Sequence, residues 1–121
     1  LKLVAFSLTQ DQRYLRSAIN DMNYIIGVNP TGYCYITGIG EKSPMNIHHR
    51  PSGADNIADP VPGFLAGGPN TNVWTDCPDA KRSKLPALSF VDEECSYSTN
   101  EICINWNTPL VFLAGALSAV K

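Results

Sequence analysis

Along residues 3–26, Leu3, Val4, Leu8, Leu15, Ile19, Met22 and Ile26 recur mostly at three- and four-residue steps. Asp11, Arg13, Arg16, Asn20 and Asp21 fill much of the opposite side. This pattern predicts an amphipathic helix, either continuous or broken into two at Thr9-Gln10-Asp11. Gly27 offers a left-handed stop, and Asn29-Pro30 ends the helix. A second helix is expected from about 98–100 to about 120, with Ser98, Thr99 or Asn100 capping its first N–H groups. Leu110, Val111, Phe112, Leu113, Ala114, Ala116 and Leu117 make it apolar nearly all round, which suits a helix buried on most sides. Pro109 predicts a kink or break near Asn107.

Between these ends the periodicity is lost. Of nine Gly and nine Pro, eight of each lie between Gly27 and Val91. Two helices cannot enclose a core, and a connection of roughly 65 residues is far longer than compact domains use. Tyr33, Tyr35, Ile36, Phe64, Leu65, Val73, Trp74, Leu85, Leu88 and Phe90 make it too apolar for a linker. The expected architecture is therefore the end of a larger all-helical domain, its long irregular segment held by that scaffold. No internal repeat or low-complexity run suggests another arrangement.

Composition changes this picture in two ways. The 121 residues would suffice for one ordinary domain by length, but the element pattern argues that they are a portion of one. The chain opens at Leu1 and shows no signal-type start, so the expectation is either that something was removed upstream or that this is a piece of something longer. A net charge of −2 argues against nucleic acid as a partner. No apolar run reaches the roughly 18 residues of a membrane span.

Three clusters carry candidate chemistry. In His48-His49-Arg50, an imidazole and a guanidinium two residues apart point the same way if the backbone is extended, and together hold hydroxyls or a carboxylate. The alternative is a surface loop with chance polar neighbours. Zinc is disfavoured, because the tripeptide lacks an i,i+4 His pair and no Cys-x-x-Cys exists. Asp92-Glu93-Glu94 and Glu101 provide carboxylates for general acid–base work, or else simply complement a helix dipole. Trp74, Tyr97 and Trp106 suit stacking on sugar faces, although buried packing is the commoner role of an isolated Trp. On a continuous helix Glu101 and Trp106 would lie about 140° apart, both bordering a cleft at the helix end.

Read together, these segments resemble glycoside hydrolase family 9, the cellulase family with an (α/α)6 barrel. The likeness covers roughly residues 20–118. It rests on Cys34-Tyr35-Ile36-Thr37-Gly38-Ile39-Gly40, Lys42 and His48-His49-Arg50, with Gly27-Val28-Asn29-Pro30 as lead-in. It continues through Phe90-Val91-Asp92, Tyr97, Asn100-Glu101 and Asn105-Trp106-Asn107-Thr108-Pro109-Leu110-Val111. The resemblance implies the C-terminal part of an endo-β-1,4-glucanase catalytic domain, all-α, acting on cellulose or a related β-glucan by inversion. It makes Glu101 the general acid, Asp92 an active-site residue that orients its neighbours, and His48 and Arg50 cleft residues that bind sugar hydroxyls. Trp106 falls at an aromatic position bordering the cleft; His49 receives no role.

Cys34 and Cys103 stand where Ser, Thr or Ala is usual, and Thr108 replaces a frequent Ala. The family's base belongs to an Asp pair near the start of its domain; nothing here matches it, and Asp55 and Asp59 sit in the wrong loop. The expected partners are a β-glucan or cello-oligosaccharide and the remainder of the catalytic domain. No metal or cofactor is expected in this segment, calcium being a feature of some members elsewhere. A β-glucan substrate implies a secreted or periplasmic location, where disulfides are permitted. Cys77 and Cys95 either bridge the loop they flank or remain free buried thiols, and Cys103 is expected on the packed side of the second helix. The competing expectation is a non-catalytic glucan-binding or structural remnant.

Overall fold

The computed structural model describes residues 1–72 and 75–120. Val73 and Trp74 of the apolar and aromatic sets lie outside the described residues. The N-terminal apolar pattern forms two helices, α1 (Lys2–Thr9) and α2 (Gln12–Ile25). Gln10 makes the break: it adopts φ 57°, and its N–H donates to Phe6 O at 2.7 Å. Asp11 then caps α2, its Oδ1 accepting from Arg13 N at 2.9 Å. Lys2 Nζ meets the Asp21 carboxylate at 2.7 Å, tying α1 to α2. Beyond α2 the chain reverses at Gly27 (φ 119°), and Asn29 Nδ2 donates to the carbonyls of Tyr24 and Tyr33.

The second helix differs from expectation. A short helix, α4 (Tyr97–Asn100), follows α3 (Arg50–Ala54) in chain order, and α5 runs Ile104–Ala119. Between α4 and α5 the chain is extended, with Glu101 at φ −69°, ψ 143° and Cys103 at φ −137°, ψ 142°. Glu101 is therefore not a helical residue, and the helical angle between it and Trp106 does not apply. The cause is lateral pairing: Glu101 bridges to His48 in parallel and Ile102 to Ala66 in antiparallel sense. These main-chain groups face sideways to neighbouring segments instead of along a helix axis. Cys103 is accordingly a half-buried N-cap residue and not a member of a packed helical face. The break falls ahead of α5; the helix then continues through Pro109, where Asn105 and Pro109 lie on the exposed side.

The irregular middle is ordered by pairing as well. Ile36 bridges Leu65, so four extended stretches lie side by side in the order 36, 65–66, 101–102 and 48. Thr37 N donates to Phe64 O at 2.9 Å, Gly63 N to Thr37 O at 2.8 Å and Gly68 N to Thr99 O at 2.8 Å. No longer strand forms among the described residues. Beneath lies the core of Cys34, Tyr35, Ile36, Leu65 and Leu110, with Met22, Ile25, Tyr33, Phe90 and Trp106 packed against it. Phe90 closes on Tyr33 and Tyr35 with ring centroids 4.9 and 5.1 Å apart. Burial pushes the Tyr35 hydroxyl up to about 12, and Thr31 Oγ1 lies 2.6 Å from it.

Cys77 and Cys95 form a disulfide with Cα atoms 5.3 Å apart. A bridge over 18 residues restricts the unfolded chain by about 3 kcal/mol in the chain-entropy account. Helix α5 packs on both α1 and α2, yet Leu110 is its one buried residue among those described. Val111 and Phe112 remain 72% and 51% exposed, which agrees with an apolar helix built to have further neighbours.

Candidate active site

The paired stretches set the positions of the functional side chains. Residues bridged across neighbouring strands project to the same face, with their backbones roughly 4.8 Å apart. The His48–Glu101 bridge therefore sends the two side chains off neighbouring stretches toward one face, and Glu101 is exposed. His48 N donates to Asn100 O at 2.9 Å, fixing the register. His48 Nδ1 sits 2.7 Å from Glu94 O. A carbonyl only accepts, so Nδ1 carries the proton and Nε2 is the atom left for a ligand. Tyr97 meets the imidazole edge-on, its centroid 6.1 Å away.

His49 is extended at φ −144°, ψ 98°, and leads from His48 into Arg50, the first residue of α3. Arg50 is exposed at the start of α3. His49 turns the other way: its Nδ1 lies 2.9 Å from Ser52 Oγ and its ring packs edge-on to Phe64.

Asp92 serves as a brace. Its Oδ2 accepts from Met45 N at 2.9 Å, and its Oδ1 accepts from Asn46 N at 2.9 Å and Asn100 Nδ2 at 3.0 Å. Asn46 Nδ2 donates back to Asp92 O, and Asn100 Nδ2 also reaches Asn46 O at 2.5 Å. One carboxylate thus joins the approach to His48 with the residue preceding Glu101.

Trp106 is half-buried against the core, its Nε1 donating to Leu65 O at 2.9 Å. Beside it Asn107 performs a task that residue-type reasoning did not single out. Its Oδ1 accepts from Leu65 N at 2.8 Å, and its Nδ2 donates to Leu65 O and Cys103 O. One amide side chain thereby closes the start of α5 and pins the stretch that pairs with Ile102. Asn107→Ala leaves the N–H of buried Leu65 unpaired and is expected to cost about 2 kcal/mol in denaturant unfolding. Its place inside the long motif was the available signal. Asn100 lies in the same motif, whereas Arg82, described below, gave no such sign. Among the described residues, no group of His, Cys, Asp and Glu side chains is gathered to hold a metal ion.

The helical frame thus carries loops in which Glu101 and His48 stand on paired stretches and Arg50 lies exposed two residues beyond His48. Residues 1–114 match the profile of Glycosyl hydrolase family 9, and the chain belongs to that family. The match reaches further toward the N-terminus than the motifs alone suggested.

The chain is 48% identical over 120 residues to the xyloglucan-specific endo-beta-1,4-glucanase of Bacteroides ovatus, covering 98% of this chain and 20% of that protein. It superimposes on a metagenome-derived glycoside hydrolase family 9 endoglucanase with a TM-score of 0.85 at 37% identity, over 98% of this chain and 21% of that one. On AaCel9A in complex with cellobiose-like isofagomine the TM-score is 0.71 at 44% identity, over 79% and 19%. The chain thus spans about a fifth of the length of each of these three relatives. The family's structures are (α/α)6 barrels, of which this chain is a helical portion.

Proposed function

We propose that the chain supplies the acid side of an inverting β-1,4-glucan hydrolase site. The observation that carries this reading is the main-chain bridge holding exposed Glu101 beside His48. In the proposed reaction Glu101 gives its proton to the glycosidic oxygen as the bond from that oxygen to the anomeric carbon breaks. An aspartate from the remainder of the domain takes a proton from water, whose oxygen bonds to the opposite face of that carbon. Inversion needs the two carboxyl groups about 6.5–9.5 Å apart.

His48 Nε2 and Arg50 hold sugar hydroxyls next to the bond being cut, Asp92 keeps the two bridged stretches in register, and Trp106 borders the cleft. The substrate class is cellulose or a related β-glucan, with cello-oligosaccharide bound in the cleft. The xyloglucan specificity of the Bacteroides ovatus relative makes a decorated glucan one form of that substrate. The whole enzyme acts outside the cytoplasm on this reading, and the acid–base steps of this segment use no cofactor.

The test is the stereochemistry of the product. Proton NMR of fresh cello-oligosaccharide digests by the full-length protein should show the α-anomer first. Initial β-anomer would overturn inversion. Absence of reducing-sugar release from carboxymethylcellulose would favour the non-catalytic binding reading instead.

A further inference from the structure

Beneath α4 lies an ion pair that the proposed chemistry does not use. Arg82 Nη2 meets Asp76 Oδ1 at 3.0 Å, and their side chains are 3% and 0% exposed. Hydrogen bonds from both members of the pair reach the start of α4. Arg82 Nη2 also donates to Ser96 Oγ at 2.9 Å, and Nη1 donates to Ser98 Oγ at 3.0 Å. Asp76 Oδ2 accepts from Ser98 N at 2.9 Å. Ser96 Oγ then lies 2.7 Å from Thr99 Oγ1, which donates to Val91 O. The disulfide joins Cys77 to Cys95, the neighbours of Asp76 and Ser96, so covalent and ionic ties act at one point.

Helix α4 has four residues, too few to hold its own shape in water. It ends on the residue before Glu101. Something outside the helix must therefore fix where Glu101 begins. A buried ion pair adds little net stability over an apolar pair of the same volume, but it specifies one geometry. Arg supplies a rigid planar fork able to reach three acceptors at once, which a Lys ammonium on its flexible stem does not reproduce.

We propose that the buried Asp76–Arg82 pair is a positioning device for the general acid, setting the start of α4 and through it the placement of Glu101. This rests on the reading of Glu101 as the proton donor. A misplacement of about 1 Å costs a reaction on the order of 100-fold, and the loss falls on the step that the misplaced group serves.

The experiment compares two substrates of the full-length protein. Carboxymethylcellulose requires a proton on its leaving oxygen. β-Cellobiosyl fluoride does not, because fluoride departs unaided. Arg82→Met and Arg82→Lys should each lower kcat on carboxymethylcellulose about 30- to 100-fold, with KM within about threefold, and leave fluoride hydrolysis within about threefold. The ratio of the two rates is taken on one preparation, so it is unaffected by any unfolded fraction.

Should both Arg82 variants fail to fold, Ser98→Ala removes one bond of the fork without stranding a buried charge, and a ratio shift in the same direction is expected. Equal losses on both substrates, or no loss on either, would overturn the positioning role. Glu101→Gln run alongside separates the two ideas. If it fails to spare the fluoride, the acid assignment falls. If it spares the fluoride while the Arg82 variants change no ratio, only the positioning role falls.

Discussion

Glu101→Gln in the full-length enzyme should lower kcat on cello-oligosaccharides about 1000-fold while leaving their binding within about threefold. The magnitude follows from the 100- to 10,000-fold that a positioned general acid ordinarily contributes. Binding is spared because Gln keeps the size and planarity of Glu, and because the residue is fixed by main-chain pairing to His48 instead of by its own side chain. Isothermal titration with a cello-oligosaccharide and initial rates on the same ligand measure the two quantities separately. A loss of binding equal to the loss of rate would give Glu101 a structural role and sink the assignment.

Asp76→Asn should destabilise the protein by about 3 kcal/mol at neutral pH, because it leaves the Arg82 guanidinium buried without its counter-charge. Burial opposes ionisation of Asp76, but the hydrogen bonds from Ser98 and the charge of Arg82 outweigh it and hold the carboxyl below its usual 3.8. A carboxyl with a depressed folded-state value contributes stability that is complete above its unfolded value and lost as the pH falls through the folded one. The gap between wild type and variant should therefore be full near neutrality and close progressively below pH 3.8. Urea unfolding at a series of pH values reads this directly. A gap that stays constant into strong acid would mean that Asp76 and Arg82 are not electrostatically coupled.

The long amphipathic and apolar segments were readable because helical periodicity is local, and so was the choice of break: Gln10 and Asp11 provide a left-handed residue followed by an N-cap. The start of the last helix is not legible in the sequence, for the opposite reason. Ser98, Thr99 and Asn100 are good caps, but residues 101–102 are claimed by partners more than 30 positions away, which no window of sequence displays. Asp92 and His48 stand out as members of polar clusters and take their expected roles from the family likeness, and the structure adds the hydrogen bonds joining them through Asn46 and Asn100. Trp106 packs against the core, the commoner role of an isolated Trp, and its indole N–H donates to Leu65 O. Arg82 gave no signal at all, since an Arg between Lys81 and Lys84 in an irregular stretch looks like any solvated charge until its burial is seen.

The pairing of residues 48 and 101 is written in backbone atoms, from His48 N to Asn100 O. Exchanging either functional side chain therefore alters what is presented without altering where it is presented. The two positions behave as a socket of fixed pitch. A redesign that replaces the acid by a nucleophile, or the imidazole by a second carboxylate, inherits the offset and needs to solve only the chemistry.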